Sequence, residues 1–259
     1  METGAITGHI DVAQIALYAF WIFFAGLIFY LRSEDKREGY PLQSDRSDRI
    51  KVQGFPPIPR PKTFILPHGG TVTAPRTEIP SGTGNASPVG LWPGAPLHPT
   101  GNPMLDGVGP AAYANRSDTP DLTIEGAPKI VPLRVAIDHH ISDESPNPVG
   151  MTVLGADGAA AGVVSDVWID RSEMVARYLE VEVADGTAQP RHVLLPVTLA
   201  RVNSVRNQVT AASVLGRHFT EAPVIAHPDE VTLREEDRIT AYFASGHLYA
   251  LPSRTEPLL

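Results

Sequence analysis

The residues best suited to chemistry fall in one short acidic stretch: Asp166, Asp170 and Glu173, with Arg171 and Arg177 beside them. Carboxylates at this spacing support two kinds of chemistry. In one, Asp170 caps a short helix, Glu173 completes a capping box, and the rest is a solvated charged turn. In the other, the carboxylates are buried near a neighbouring site and pass protons, because burial raises a carboxyl pKa toward neutrality. Residue type alone leaves both open. Among the nine histidines, His139 and His140 are the clustered pair. Adjacent residues on a strand point to opposite faces, so a metal centre built from this pair is not expected. The chain has no G-x-S-x-G, no Walker loop and no H-E-x-x-H. Gly107-Val-Gly109-Pro-Ala lacks a preceding strand and puts proline where a helix should open, which excludes a dinucleotide loop. An enzyme is not expected.

The elements that must carry these residues begin with an anchor. Between Asp11 and Arg32 run twenty residues without a charge, Val12 to Leu31. As a helix they span roughly 30 Å, the thickness of a bilayer's hydrocarbon core. The leading segment has no Lys or Arg, and the run ends in Tyr30-Leu31-Arg32 without a small-residue cleavage site, so it does not read as a signal peptide. Residues 12–31 are therefore expected to be a single transmembrane helix. Arg32, Lys36 and Arg37 follow directly, which puts residues 1–11 outside and the remainder in the cytoplasm.

Residues 54–110 hold 13 of the 25 prolines. Proline fixes φ and removes a donor, so neither helices nor central strands are expected there. Yet Phe55, Ile58, Phe64, Ile65, Leu66, Leu91, Trp92, Leu97, Met104 and Leu105 are interleaved, which a free linker would not carry. Residues 32–110 thus read as an extended Pro/Gly-rich segment lying on a protein surface. From Lys129 onward, short β-prone runs alternate with turns: Ile130–Ile137, Ala161–Ile169, Met174–Val183, His192–Leu199 and Asn207–Leu215. Asp157-Gly158 and Asp185-Gly186 are hairpin signals. In Met174–Val183, Leu179, Val181 and Val183 alternate with Tyr178, Glu180 and Glu182, the pattern of a half-buried strand. A small β-barrel over residues 111–259 is expected, closed by a helix that Thr232 and Glu235 cap and Gly246 stops. The net charge of −8 argues against nucleic acid as a partner, and the absence of cysteine removes disulfides and thiolate metal sites.

Several long strings carry a resemblance. Glu34-Asp-Lys-Arg-Glu-Gly-Tyr-Pro-Leu42, Pro61-Lys-Thr-Phe-Ile-Leu-Pro-His-Gly69, Pro99-Thr-Gly-Asn-Pro-Met104, Asp106-Gly-Val-Gly-Pro-Ala111 and Leu233-Arg-Glu-Glu-Asp-Arg-Ile239 resemble, in order, the H subunit of the purple-bacterial photosynthetic reaction centre. Gly155 to Val202, with Gly158, Gly162, Asp166, Tyr178-Leu-Glu-Val-Glu-Val183 and Leu195-Pro196, resembles a PRC-barrel domain.

The resemblance implies a non-catalytic subunit of the inner, intracytoplasmic photosynthetic membrane. Its helix would pack beside the L and M subunits and its cytoplasmic domain would cap them. It would shield the quinones and supply part of a proton route to the secondary quinone. This chain would bind no cofactor itself. Bacteriochlorophyll, bacteriopheophytin, quinones, non-haem iron and carotenoid would belong to L and M. A tetrahaem cytochrome subunit, light-harvesting proteins and membrane lipids are further candidate partners. By resemblance Asp170, Glu173 and Asp121 fall on the proton route, Arg177 is a charged neighbour, and Arg37, Glu38, Tyr40, Phe64 and Leu66 dock on the core subunits. One departure stands out. Some members of that family carry a histidine pair at the proton entrance where this chain has Glu125 and Ala127, so Glu125, or His139 and His140, are the entrance candidates. The competing expectation is a membrane-tethered PRC-barrel adaptor or assembly factor with no part in electron transfer.

Overall fold

Asp11 opens the first element. Its Oδ1 accepts from Gln14 N at 2.7 Å and caps helix α1, Val12–Glu34. The 23 residues of α1 span about 34 Å. None of them is buried, and among the described residues α1 is the one helix long and apolar enough to cross a membrane. It runs three residues beyond the uncharged stretch and tightens into a 3-10 turn over Asp35–Arg37. The computed structural model describes residues 11–44, 47–75, 85–92, 95–183 and 190–255. The chain falls into two units, Met1–Gly82 with Leu91–Ala95, and Thr83–Gly90 with Pro96–Leu259.

In the first unit, α1 is followed by two antiparallel ribbons. β1 (Leu42–Ser44) pairs with β2 (Ser47–Val52), and β3 (Lys62–Ile65) pairs with β4 (Thr71–Ala74) with Phe64 opposite Val72. The stretch between the ribbons holds Pro56, Pro57, Pro59 and Pro61 and forms no strand.

In the second unit, β5 (Ala86–Pro88) and β6 (Leu97–Pro99) form a further ribbon. Met104, Val108 and Ala111 after it are buried, and Met104 belongs to this unit's core. The main sheet has seven strands: β7 (Ile130–Pro132), β8 (Thr152–Leu154), β9 (Ala160–Asp170), β10 (Val175–Val183), β11 (Arg191–Pro196), β12 (Ala200–Asn203) and β13 (Gln208–Ala211). The order is β11-β10-β9-β8-β13-β12, with β7 added on β9 and β8 parallel to β13. The two ends of that path, β11 and β12, are joined by the three residues Val197–Leu199 alone. So short a connection obliges the sheet to curl round on itself, which is the barrel expected from the sequence. Gly162 permits the tightest crossing, because a Cβ there would meet Glu182 O at 2.0 Å. Helix α2 (Leu233–Tyr249) places Ile239, Tyr242 and Phe243 against the core that holds Trp168 and Phe219.

Several expectations need correction. The first strand ends at Pro132 rather than Ile137, because Val135 N and Ala136 N turn back to Pro132 O. The strand expected over His192–Leu199 breaks at Pro196 into a 3-10 turn. β8 had no sequence expectation. Gly246 does not stop α2. It lies inside the helix where α2 presses on Ser213, whose O would stand 2.6 Å from a Cβ. Tyr178 and Glu180 are buried rather than exposed, because register shifts on either side of them break the alternation along β10. Asp185-Gly186 lies outside the described residues.

Candidate functional site

β9 ends on Asp170, and the chain reverses through Arg171–Met174 into β10, with Met174 at φ 57 and its N–H donating to Asp170 O at 2.8 Å. Asp170 Oδ1 accepts from Ser172 N at 2.9 Å and Glu173 N at 3.0 Å, holding the turn together. No helix forms here, so the capping role exists in a tighter form than the sequence implied. Asp170 Oδ2 faces cations: Arg177 Nη2 at 3.2 Å and Lys129 Nζ at 3.5 Å. Asp170 has no solvent exposure. Burial opposes its charge, but the Glu173 N–H, Arg177, the Ser172 N–H and Lys129 together outweigh burial and hold the carboxyl below the usual range. Glu173 sits at the rim with its side chain half-exposed, and its Oε2 accepts from Arg177 Nη2 at 2.7 Å.

Lys129 arrives on a finger formed by residues 121–129. Lys129 N donates to Asp121 O at 2.8 Å and Thr123 N to Ala127 O at 2.8 Å, and Gly126 at φ 84 makes the tip. Directly after the finger, β7 pairs Ile130 with Asp170, so its base is fixed beside the turn. Lys129 Nζ thereby lies 3.7 Å from Asp121, 3.5 Å from Asp170 and 3.9 Å from Glu173. Glu125 is exposed at the tip. Its own backbone N–H and the Thr123 hydroxyl keep its carboxyl below the usual range.

Asp166 and Arg171 behave differently from their sequence grouping. Asp166 does not join Asp170. Its Oδ2 lies 3.0 Å from Arg134 Nη1, in a separate cluster around Glu180, which is 6 % exposed. Glu180 Oε2 accepts from Trp168 Nε1 and from Arg134 Nη1, both at 2.7 Å, and its Oε1 lies 2.9 Å from His192 Nδ1. Arg171 turns away to donate to Pro128 O. Sequence reasoning missed Lys129 and Glu236, the latter next to the cap residue Glu235 on α2. Half-buried, it accepts from Tyr178 Oη at 3.0 Å. Burial pushes its carboxyl up, Tyr178 and Arg116 opposing and Asp121 adding to the rise. Spacing on α2 offered no signal for this, since the contact is made across to β10.

His139 and His140 lie after the β7 turn, not on a strand, so the alternation argument does not apply to them. Both line a cavity of about 490 Å³ that is also lined by Ile169, Met174 and Val175, the flanks of the Asp170 turn. His139 Nδ1 is buried there without a hydrogen-bond partner. Among the described residues no cluster of three His, Asp or Glu is placed to hold a metal ion.

In the first unit, Arg37, Glu38, Phe64 and Leu66 line one hollow, and Tyr40 lies with its ring centroid 5.1 Å from Lys36 Nζ.

A family model described as the photosynthetic reaction centre H-chain N-terminal region matches residues 4–135, half of the chain. The chain belongs to the photosynthetic reaction centre H-chain family. A PRC-barrel domain model matches residues 142–216, which takes in strands β8 to β13. Membership makes the protein a structural subunit of a photosynthetic reaction centre, associated with its core subunits, and α1 agrees with a single-pass membrane protein. The carboxylate site of this H-chain family member draws on both matches: Asp121 and Lys129 lie in the first, Asp170, Glu173 and Arg177 in the second. Glu236 lies outside both.

Proposed function

We propose that the chain caps the quinone side of an L and M core, shields the quinones from bulk water and carries part of the proton route to the secondary quinone. α1 spans the inner membrane with its start on the periplasmic side and the C-terminal unit in the cytoplasm, as Arg32 at its foot favours. The observation that carries this reading is the graded carboxylate set around Lys129 and Arg177. Glu173 and Asp121 reach solvent, Asp170 is wholly buried, and Glu236 binds its proton more tightly than an ordinary glutamate. In this reading Asp170 is a fixed anion that holds Arg177 and Lys129 in place. Glu173 is the rim group that hands the proton inward, and Glu236, whose carboxyl burial raises, is the inner group that receives it. A carboxyl raised toward neutrality is suited to releasing and regaining a proton near physiological pH. Glu125 at the finger tip is the first anion that an incoming proton meets, and His139 and His140 serve the cavity side.

The experiment is purification of the tagged full chain from its native membrane in mild detergent. Co-purification of pigmented core subunits supports the reading. A colourless chain that stays folded alone favours the tethered adaptor.

A further inference from the structure

The cavity that His139 and His140 line reaches down to the barrel core. Val167 and Leu179 belong to its lining and are both buried core residues, and Leu133, Ile169, Val197 and Val202 line it with them. Its polar lining has a different source. Asp138, His139, His140, Ser142 and Ser145 all come from the stretch between the β7 turn and β8. No Lys or Arg lines the cavity, and Asp138 is its one acidic group. His139 Nδ1 is closed off from water and has no hydrogen-bond partner. Apolar strands and one polar segment with an unpaired imidazole nitrogen thus share a single cavity.

At about 490 Å³ it has the size of a small-molecule pocket, and such pockets are mostly apolar with a few polar groups that fix orientation. A buried nitrogen without a partner costs free energy that a ligand hydrogen bond recovers. An anionic head is disfavoured, because Asp138 repels it and no lining cation balances it. A neutral carbonyl or hydroxyl meets neither obstacle. We propose that this cavity binds a neutral amphiphile. Its apolar body lies on the strands, and its carbonyl or hydroxyl group pairs with the His139 imidazole after a rotation of the ring. The membrane that α1 is long enough to cross supplies such molecules as acyl esters and as quinones. Ile169, Met174 and Val175 line the same cavity, so the occupant packs against the flanks of the Asp170 turn. Its binding does not depend on whether Glu173 carries protons.

The test uses the full-length chain in phosphatidylcholine nanodiscs at pH 8, with a diazirine-bearing monolaurin as photolabel. Label should map to residues 141–148 or 174–176. Label in α1 alone reports partition into lipid and overturns the proposal. Monolaurin and decylubiquinone are the neutral competitors, and lauric acid is the anionic one. At least one neutral competitor should displace the label at roughly tenfold lower concentration than lauric acid does. Monolaurin doing so identifies an acyl ester, and decylubiquinone doing so identifies a quinone. Displacement by lauric acid at the same concentration overturns the proposal. Ala176→Trp fills an exposed part of the lining, so it should keep the thermal midpoint and lose the label. His139→Phe keeps a ring and removes the nitrogen, so labelling should weaken roughly tenfold. Undiminished labelling in either variant, once folded, overturns the proposal, and Ala176→Trp alone decides if His139→Phe fails to fold.

Discussion

The Lys129 ammonium stands 3.5 Å from Oδ2 of Asp170, a carboxylate with no solvent exposure. A buried anion of this kind is held ionised by its partners, and removing the charge leaves Lys129 and Arg177 facing a neutral group. Asp170→Asn should therefore destabilise the folded chain by about 2–3 kcal/mol at pH 7, less than for a fully buried pair because both cations reach solvent. The sign with pH follows from a folded pKa below the unfolded one. The stabilisation is complete above the unfolded aspartate value near 3.9 and is lost as pH falls through the lower folded value. Thermal unfolding of wild type and variant in detergent should converge in acid.

Glu236 behaves in the opposite sense. Its folded pKa lies above the unfolded one, so the ionised form opposes folding and protonation relieves that cost. Glu236→Gln should be more stable than wild type at pH 8, with the advantage shrinking as pH falls through the folded pKa. Below the unfolded glutamate value near 4.3, the pH dependence of the difference should vanish. A stability difference that stays flat from pH 8 to pH 4 would show that burial leaves this carboxyl unshifted.

The proton entrance should respond weakly to transition metals. By the resemblance, Glu125 and Ala127 occupy the positions of the entrance histidines that some family members carry, and no three-residue metal cluster exists among the described residues. Zn²⁺ or Cd²⁺ should inhibit flash-induced proton uptake less here than in such relatives, measured side by side. Equal inhibition would give this chain a ligand set of its own, with His139 and His140 the first residues to substitute.

Gly246 tests the packing of α2 on the barrel. Alanine is favoured over glycine in a helix interior by up to about 1 kcal/mol. A Cβ at Gly246, however, would stand 2.6 Å from both Ser213 O and Val214 Cγ1, and overpacking of this kind costs about 1–3 kcal/mol. The clash should win, so Gly246→Ala should lower the thermal midpoint. A raised midpoint would mean that the helix shifts away without cost.

How much of this was legible in the sequence depended on the range of the interaction. The α1 span, the Thr232–Glu235 capping box and the buried face of Ile239, Tyr242 and Phe243 are local patterns, and the structure has them. Glu180 was misread because bulges in β10 shift the period that the alternation argument assumes. Asp166 was grouped with Asp170 by proximity along the chain, yet it turns to Arg134, thirty-two positions away. Lys129 and Glu236 join the site through a finger and a helix whose placement no short window of sequence encodes. The grouping of Asp170, Glu173 and Arg177 was readable because all three lie on one β-hairpin, within eight residues of each other.

Glu173 is the residue on which the proton-route account depends most directly. Its ion pair with Arg177 is half-exposed, and pairs of that kind contribute about 0–1 kcal/mol, so Glu173→Gln should fold and assemble normally. The decisive measurement is flash-induced proton uptake together with the second electron transfer to the quinone in complexes carrying this variant. The account predicts an unchanged first electron transfer, with uptake and second transfer slowed by roughly tenfold to a hundredfold. Wild-type rates for both would contradict it and leave the Lys129 cluster a structural clasp.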